Sequence, residues 1–128
     1  MKTLHLAAYA AVLSMLAAAP VGADEPGPGG SRPPVAKTGA DVYRMYCQAC
    51  HMADAKGAVG AAAFPPLADN PRMGTTAYAI YVIQEGKGGM PPFKAMLSRD
   101  QTAAVVAYLR THFGNSYAEP VTATDVPP

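Results

Sequence analysis

Residues 47–51 read Cys47-Gln48-Ala49-Cys50-His51, and the rest of the chain is read outward from this pentapeptide. On a helix, two thiols three residues apart stand one turn apart on the same face. They are placed to add to two vinyl groups on one edge of a porphyrin, and the imidazole that follows faces the ring and can hold its iron. The spacing C-x-x-C-H is a c-type haem attachment signature. Two other chemistries use paired cysteines. A thioredoxin-like redox pair follows a strand in a βαβ pattern, and no sustained period-two pattern occurs in this chain. A zinc site needs further Cys or His ligands, and beyond residue 23 only His112 stands outside the motif.

Downstream of His51, residues 52–75 are rich in Ala, Gly and Pro and carry no clear period. A loop of that length inside a small domain is expected to wrap something or to serve a function. A large planar cofactor fits, because the apolar helices alone make a thin core. Iron has a second axial position, for which Met52, Met73, Met90, Met96, His112 and water are the candidates. Met90 is favoured. It lies in Gly88-Gly89-Met90-Pro91-Pro92-Phe93, where glycine permits close backbone approach and the prolines stiffen the chain past the sulfur. Met96 is the next choice. Met52 adjoins His51 and cannot reach the opposite face of the ring.

Three helices are expected. The first spans residues 39–50, with Thr38 and Asp41 as a capping pair and Val42, Met45, Tyr46 and Ala49 as its apolar face. The second spans 76–85, with Ala77, Ile80, Val82 and Ile83 apolar and Gly86 as its stop. The third spans 98–112, opened by Ser98 and Gln101. Its buried side is Val105, Val106, Tyr108, Leu109 and Phe113, and Gly114 ends it. Gly39 lacks a side chain, so the third helix can approach closely enough for Tyr108 to pack across it.

The termini read differently. A charged start at Lys2, an apolar run over residues 4–19 and a small-residue end make residues 1–23 a secretory signal peptide. The run falls short of the roughly 20 apolar residues that span a bilayer. The alternative is an uncleaved leader that anchors the protein to the membrane. Residues 24–37 form a Pro/Gly-rich flexible linker, residues 38–116 the folded domain and residues 117–128 a flexible tail. Of the ten Lys and Arg, Lys2 lies in the leader, which leaves nine against nine Asp and Glu. That balance lacks the basic excess of a nucleic-acid binder.

Beyond the haem motif, the chain resembles class I cytochromes c over roughly residues 39–114. In that family a Gly and an aromatic precede the first Cys by eight and four positions, matched by Gly39 and Tyr43. They pack against an aliphatic–aromatic pair on the last helix, matched by Val105 and Tyr108. A Pro-x-Leu segment follows the proximal His, matched by Pro65-Pro66-Leu67. The resemblance implies that the Pro65 carbonyl accepts the Nδ1–H of His51 and that Leu67 lines the haem pocket. It also implies an all-α cytochrome c fold, with three main helices and long loops wrapped around one covalently bound haem. Phe64-Pro65-Pro66-Leu67-Ala68-Asp69-Asn70 and Gly88–Phe93 are similar to small bacterial cytochromes that serve periplasmic dehydrogenases, or to the cytochrome subunits of such enzymes.

Together these readings describe an electron-transfer protein rather than an enzyme. Its cofactor is haem c with iron, attached through Cys47 and Cys50 and ligated by His51 and Met90. With both axial positions closed, the iron passes electrons and does not activate oxygen; thioether ligation and apolar burial both favour a fairly high potential. The expected setting is the periplasm, as a monomer with no integral span after leader cleavage. The expected partners are redox proteins: a dehydrogenase donor, and an oxidase or other acceptor. Two alternatives stay open: a permanent subunit of a dehydrogenase complex, and a haem protein whose sixth site is open. Lys56, Lys87 and Lys94 fall in loops expected near the haem edge, where they could steer an acidic partner. The balanced charge favours solvated surface lysines instead. His112 ends the third helix, where a cation suits the helix dipole, and takes no catalytic part.

Overall fold

The computed structural model describes residues 35–60 and 63–128. The expected signal peptide (1–23) and all but the end of the expected linker lie outside those residues. Helix α1 is continuous from residue 39 to residue 51. It runs as an α-helical turn Gly39–Val42, a π-helical turn Tyr43–Cys47 and an α-helical turn Gln48–His51. Thr38 caps it in a reciprocal box: the Asp41 amide donates to the Thr38 hydroxyl, and the Asp41 carboxylate accepts from the Thr38 amide. Helix α2 is Thr76–Glu85 and helix α3 is Arg99–Thr111. Ser98 and Gln101 form the same kind of box at the start of α3. Short 3-10 turns at Pro71–Gly74 and Ala123–Asp125 complete the regular structure, with isolated bridges pairing Ala58 with Phe64 and Lys87 with Met90. The fold is all-α. No helix among the described residues is long and apolar enough to cross a membrane.

The core gathers along α3, against which α1 and α2 both pack. Val42 and Tyr43 come from α1, Ala79, Ile80 and Ile83 from α2, and Ala103, Val105, Val106 and Leu109 from α3. The crossing of α1 and α3 centres on Gly39. A Cβ there would run into the carbonyl of Ala104 and lie 2.6 Å from Cβ of Tyr108. Only glycine lets the two backbones come this close. Tyr108 packs beside Tyr43, ring centroids 6.0 Å apart, and Phe113 meets Tyr43 at 5.0 Å.

Four expectations are corrected. On α1 the apolar face is not Val42, Met45, Tyr46 and Ala49. Met45 and Ala49 are exposed, and the inward positions are Val42, Tyr43, Tyr46, Cys47 and His51. Positions 42, 43, 46 and 47 form one face of an ordinary helix, and Met45 falls off its edge. Beyond them the Gln48 amide reaches back five residues to the Tyr43 carbonyl, and this wider turn shifts the phase of the residues that follow. On α2, Ala77 is exposed, while Gln84 is buried because its side-chain amide donates to the Pro127 carbonyl. Helix α3 ends at Thr111, one residue before His112.

The fourth correction concerns the domain boundaries. Residues 117–128 are not a flexible tail. Val126 is fully buried, Tyr117 and Val121 pack against the core, and Arg110 binds the segment through Glu119. At the other end Ala36 is buried, and its carbonyl accepts from the Gln101 side chain. The last linker residues therefore belong to the fold. Apolar side chains spaced too sparsely to show a period still reach the core when backbone partners are at hand.

Candidate functional site

The motif cysteines and histidine close α1. Cys47 ends the π turn, and Cys50 and His51 occupy the final α-turn. Cys47 is largely shielded and Cys50 is exposed. Burial, and then the neighbouring Cys50, push the Cys47 thiol up to about 11. Met52 stops the helix with φ at 65°. The Tyr43 hydroxyl donates to the Met52 carbonyl at 2.6 Å and lies 3.5 Å from that of His51. Tyr43 thus ties the end of the motif back to the start of the π turn. Burial, followed by the nearby Cys47, raises its phenol to about 12, so it stays a donor.

His51 is 8% exposed, with Nδ1 3.0 Å from the Pro65 carbonyl. A carbonyl can only accept, so Nδ1 carries the proton and Nε2 keeps its lone pair for a metal. The loop that delivers Pro65 is closed on itself. Leu67 and Ala68 donate to the Ala55 carbonyl at 2.8 and 3.0 Å, the amides of Ala58 and Phe64 each donate to the other's carbonyl, and Gly57 donates to the carbonyl of His51. Leu67 is half-buried against the core.

Met90 arrives on the segment after α2. It exchanges backbone hydrogen bonds with Lys87 at 3.0 and 3.1 Å, and Phe93 donates to the Ile83 carbonyl. Gly86 turns the chain at φ 75°. A Cβ there would sit 2.5 Å from the Met90 carbonyl and 2.9 Å from the nitrogen of Pro92. The turn therefore folds tightly onto the Met-Pro-Pro segment. The Tyr46 ring meets the edge of Phe93, centroids 6.4 Å apart, and brings this segment against α1. Met90 is half-buried against the core, whereas Met96 is 55% exposed and Met73 is buried within the core.

The structure thus joins His51 directly to Pro65, and places Cys47, Leu67 and Met90 around one apolar core. The donor set suits an iron porphyrin: two thiols on one helical turn, one imidazole nitrogen fixed as a lone pair, and one thioether on a separate segment. Among the described residues no group of three or more His, Cys, Asp or Glu side chains gathers as a metal site. Sequence reasoning missed Tyr46 and Phe93 as a pair, and it missed Arg110 and Asn115. The aromatic pair had a visible signal in its flanking of Cys47 and Met90, whereas the buried polar residues had none.

A family model described as cytochrome c oxidase, cbb3-type, subunit III, matches residues 34–109. The chain belongs to that cytochrome c family. Its cofactor is haem c with iron. The chain is 38% identical over 101 residues to the cytochrome c subunit of a quinone-type alcohol dehydrogenase from Gluconacetobacter polyoxogenes; the match covers 69% of this chain and 21% of that subunit. The corresponding subunit of Gluconobacter oxydans (strain 621H) is 37% identical over the same length. The match therefore spans about a fifth of these relatives. Cytochrome c6 of Euglena gracilis is 34% identical over 86 residues, covering 62% of this chain and 95% of its own. A solved structure, the KustC0563 c-type cytochrome, aligns with a TM-score of 0.51 and 27% identity over 60% of this chain and 98% of that one.

Proposed function

We propose that this cytochrome is a monomeric one-electron carrier of the periplasm. In this reading Cys47 and Cys50 hold the haem through thioethers, His51 and Met90 are its axial ligands, and Pro65 and Leu67 complete the pocket. The haem supplies a one-electron iron couple when bound. The protein's part is to orient and to exclude water. Helix α1 sets Cys47 inward, Pro65 fixes the His51 ring, and the Gly86 turn with Pro91 and Pro92 holds the Met90 thioether on its own segment. The observation that carries the reading is the Nδ1 bond of His51 to Pro65, which leaves the Nε2 lone pair free as a donor on the residue that follows the second motif thiol.

The proposed donor is a dehydrogenase, and the proposed acceptor an oxidase or another redox protein, docked in a small transient interface. The likeness to alcohol dehydrogenase cytochrome subunits favours a second reading, a permanent subunit of such a complex. Expression beside the haem-ligation machinery tests the site. Holoprotein with one covalent haem and a weak far-red sulfur-to-iron band in its oxidised spectrum supports it. A colourless product with the mass of bare polypeptide overturns the attachment, and carbon monoxide binding without that band overturns Met90. Co-purification of a large dehydrogenase subunit decides for the complex over the free carrier.

A further inference from the structure

The loop that presents Pro65 is held by more than its own backbone hydrogen bonds. Asn115, just past α3 and 7% exposed, spends its whole side chain on that loop and on the helix behind it. Its Oδ1 accepts from the Asn70 amide at 2.8 Å. Its Nδ2 donates to the Leu67 carbonyl at 2.9 Å and to the Leu109 carbonyl at 2.8 Å. Asn70 passes the constraint on, its Nδ2 donating to the Pro66 carbonyl at 2.8 Å. Asp69 adds a backbone bond to the Phe113 carbonyl at 2.9 Å. Both ends of the turn 67–70 are thus fastened to the end of α3, and the next residues upstream are Pro66 and Pro65.

We infer that Asn115 is a positioning residue for the iron. By pinning the turn 67–70 to α3, it holds the Pro65 carbonyl against Nδ1 of His51. A carbonyl that pulls on Nδ1–H makes Nε2 a stronger donor, and a stronger donor favours ferric iron. A buried amide with both donors and its oxygen engaged is stiff, because each lost partner leaves a desolvated polar group. The alternative is a purely structural Asn115 that stabilises the loop without reaching His51. The inference rests on His51 being the ligand.

The test uses purified holoprotein with 15N-labelled histidine. In the reduced wild type, the His51 Nδ1–H resonance should carry the upfield ring-current shift of an iron-bound imidazole. If it does not, the ligand assignment fails first and the inference with it. Asn115→Ala should raise the midpoint potential and speed the solvent exchange of that proton several-fold. Gln84→Ala, which removes an equally buried side-chain amide from α2, should lower the melting temperature and move neither readout. Asn70→Ala cuts the link to Pro66 and should move both readouts in the same direction by less. It carries the test if Asn115→Ala does not assemble. Variants that melt earlier with wild-type potential and wild-type proton exchange overturn the inference.

Discussion

At His51 the two ring nitrogens have separate tasks: Nδ1 donates to the Pro65 carbonyl at 3.0 Å, and the Nε2 lone pair is free for metal. The tautomer is imposed by the partner, since a backbone carbonyl accepts and never donates. In the proposed ligand set Met90 complements it from another segment, half-buried where Met96 is 55% exposed. Replacing Met90 therefore tests the sixth position most directly. Met90→Ala should still carry covalent haem, lose the far-red sulfur-to-iron band and bind carbon monoxide in the reduced state. Its midpoint potential should fall, because a thioether favours the reduced iron. Retention of the band would move the ligand role elsewhere, to Met96 first.

Among the elements, the crossing of α1 and α3 has the least room. Gly39→Val should force the backbones apart at Ala104 and Tyr108 and cost about 1–3 kcal/mol, the usual range for overpacking. Thermal unfolding of the holoprotein checks it, and an unchanged melting temperature would remove the contact from the account. The helices themselves were legible in the sequence, because capping boxes and helical periods are local signals. Thr38 with Asp41 and Ser98 with Gln101 start α1 and α3 as their spacing predicts. The π turn was not legible. A wider turn costs hydrogen-bond geometry locally and is repaid only by how Tyr43, Tyr46 and Cys47 pack.

Over the whole molecule, Arg110 ties distant segments together. It is 2% exposed, and its Nε donates to the Met73 carbonyl at 2.9 Å while its Nη2 meets the Glu119 carboxylate at 2.6 Å. Arg110→Ala should release residues 117–128, seen as faster amide exchange and early proteolysis there, with the haem spectrum retained. Protection equal to wild type would show that Val126 holds the segment alone. Acid should weaken the same framework. Glu119 is lowered from its ordinary 4.5 by its own backbone amide and by Arg110; Asp41 and Asp125 are lowered from 3.8 by hydrogen bonds from Thr38 and Thr122. Carboxylates held low stabilise the fold above their unfolded values, so stability should drop only as pH falls below about 4.5 toward and through the lowered values. A melting temperature independent of pH across that window would contradict this.

The surface charges are already engaged in part. Lys56 pairs with Asp54 at 3.9 Å, and Lys87 and Arg72 flank the Tyr78 hydroxyl at 3.3 and 3.4 Å. With nine Lys and Arg beyond the leader balanced by nine Asp and Glu, electron-transfer rates with a redox partner should vary weakly with ionic strength. A steep decline with salt would restore the steering role of Lys56, Lys87 and Lys94.

Covalent spacing and local backbone preference are written along the chain, and they determined the haem motif, the three helices and their caps. Tertiary structure alone decided the phase of α1 after its π turn, the folding of residues 117–128 onto the core, and the burial of Arg110 and Asn115. Each of these depends on partners dozens of residues away, such as Asn115 with Leu67 and Gln84 with Pro127. A polar side chain shows no periodicity that foretells burial. Its place is set when a folded backbone leaves carbonyls and amides that only it can satisfy.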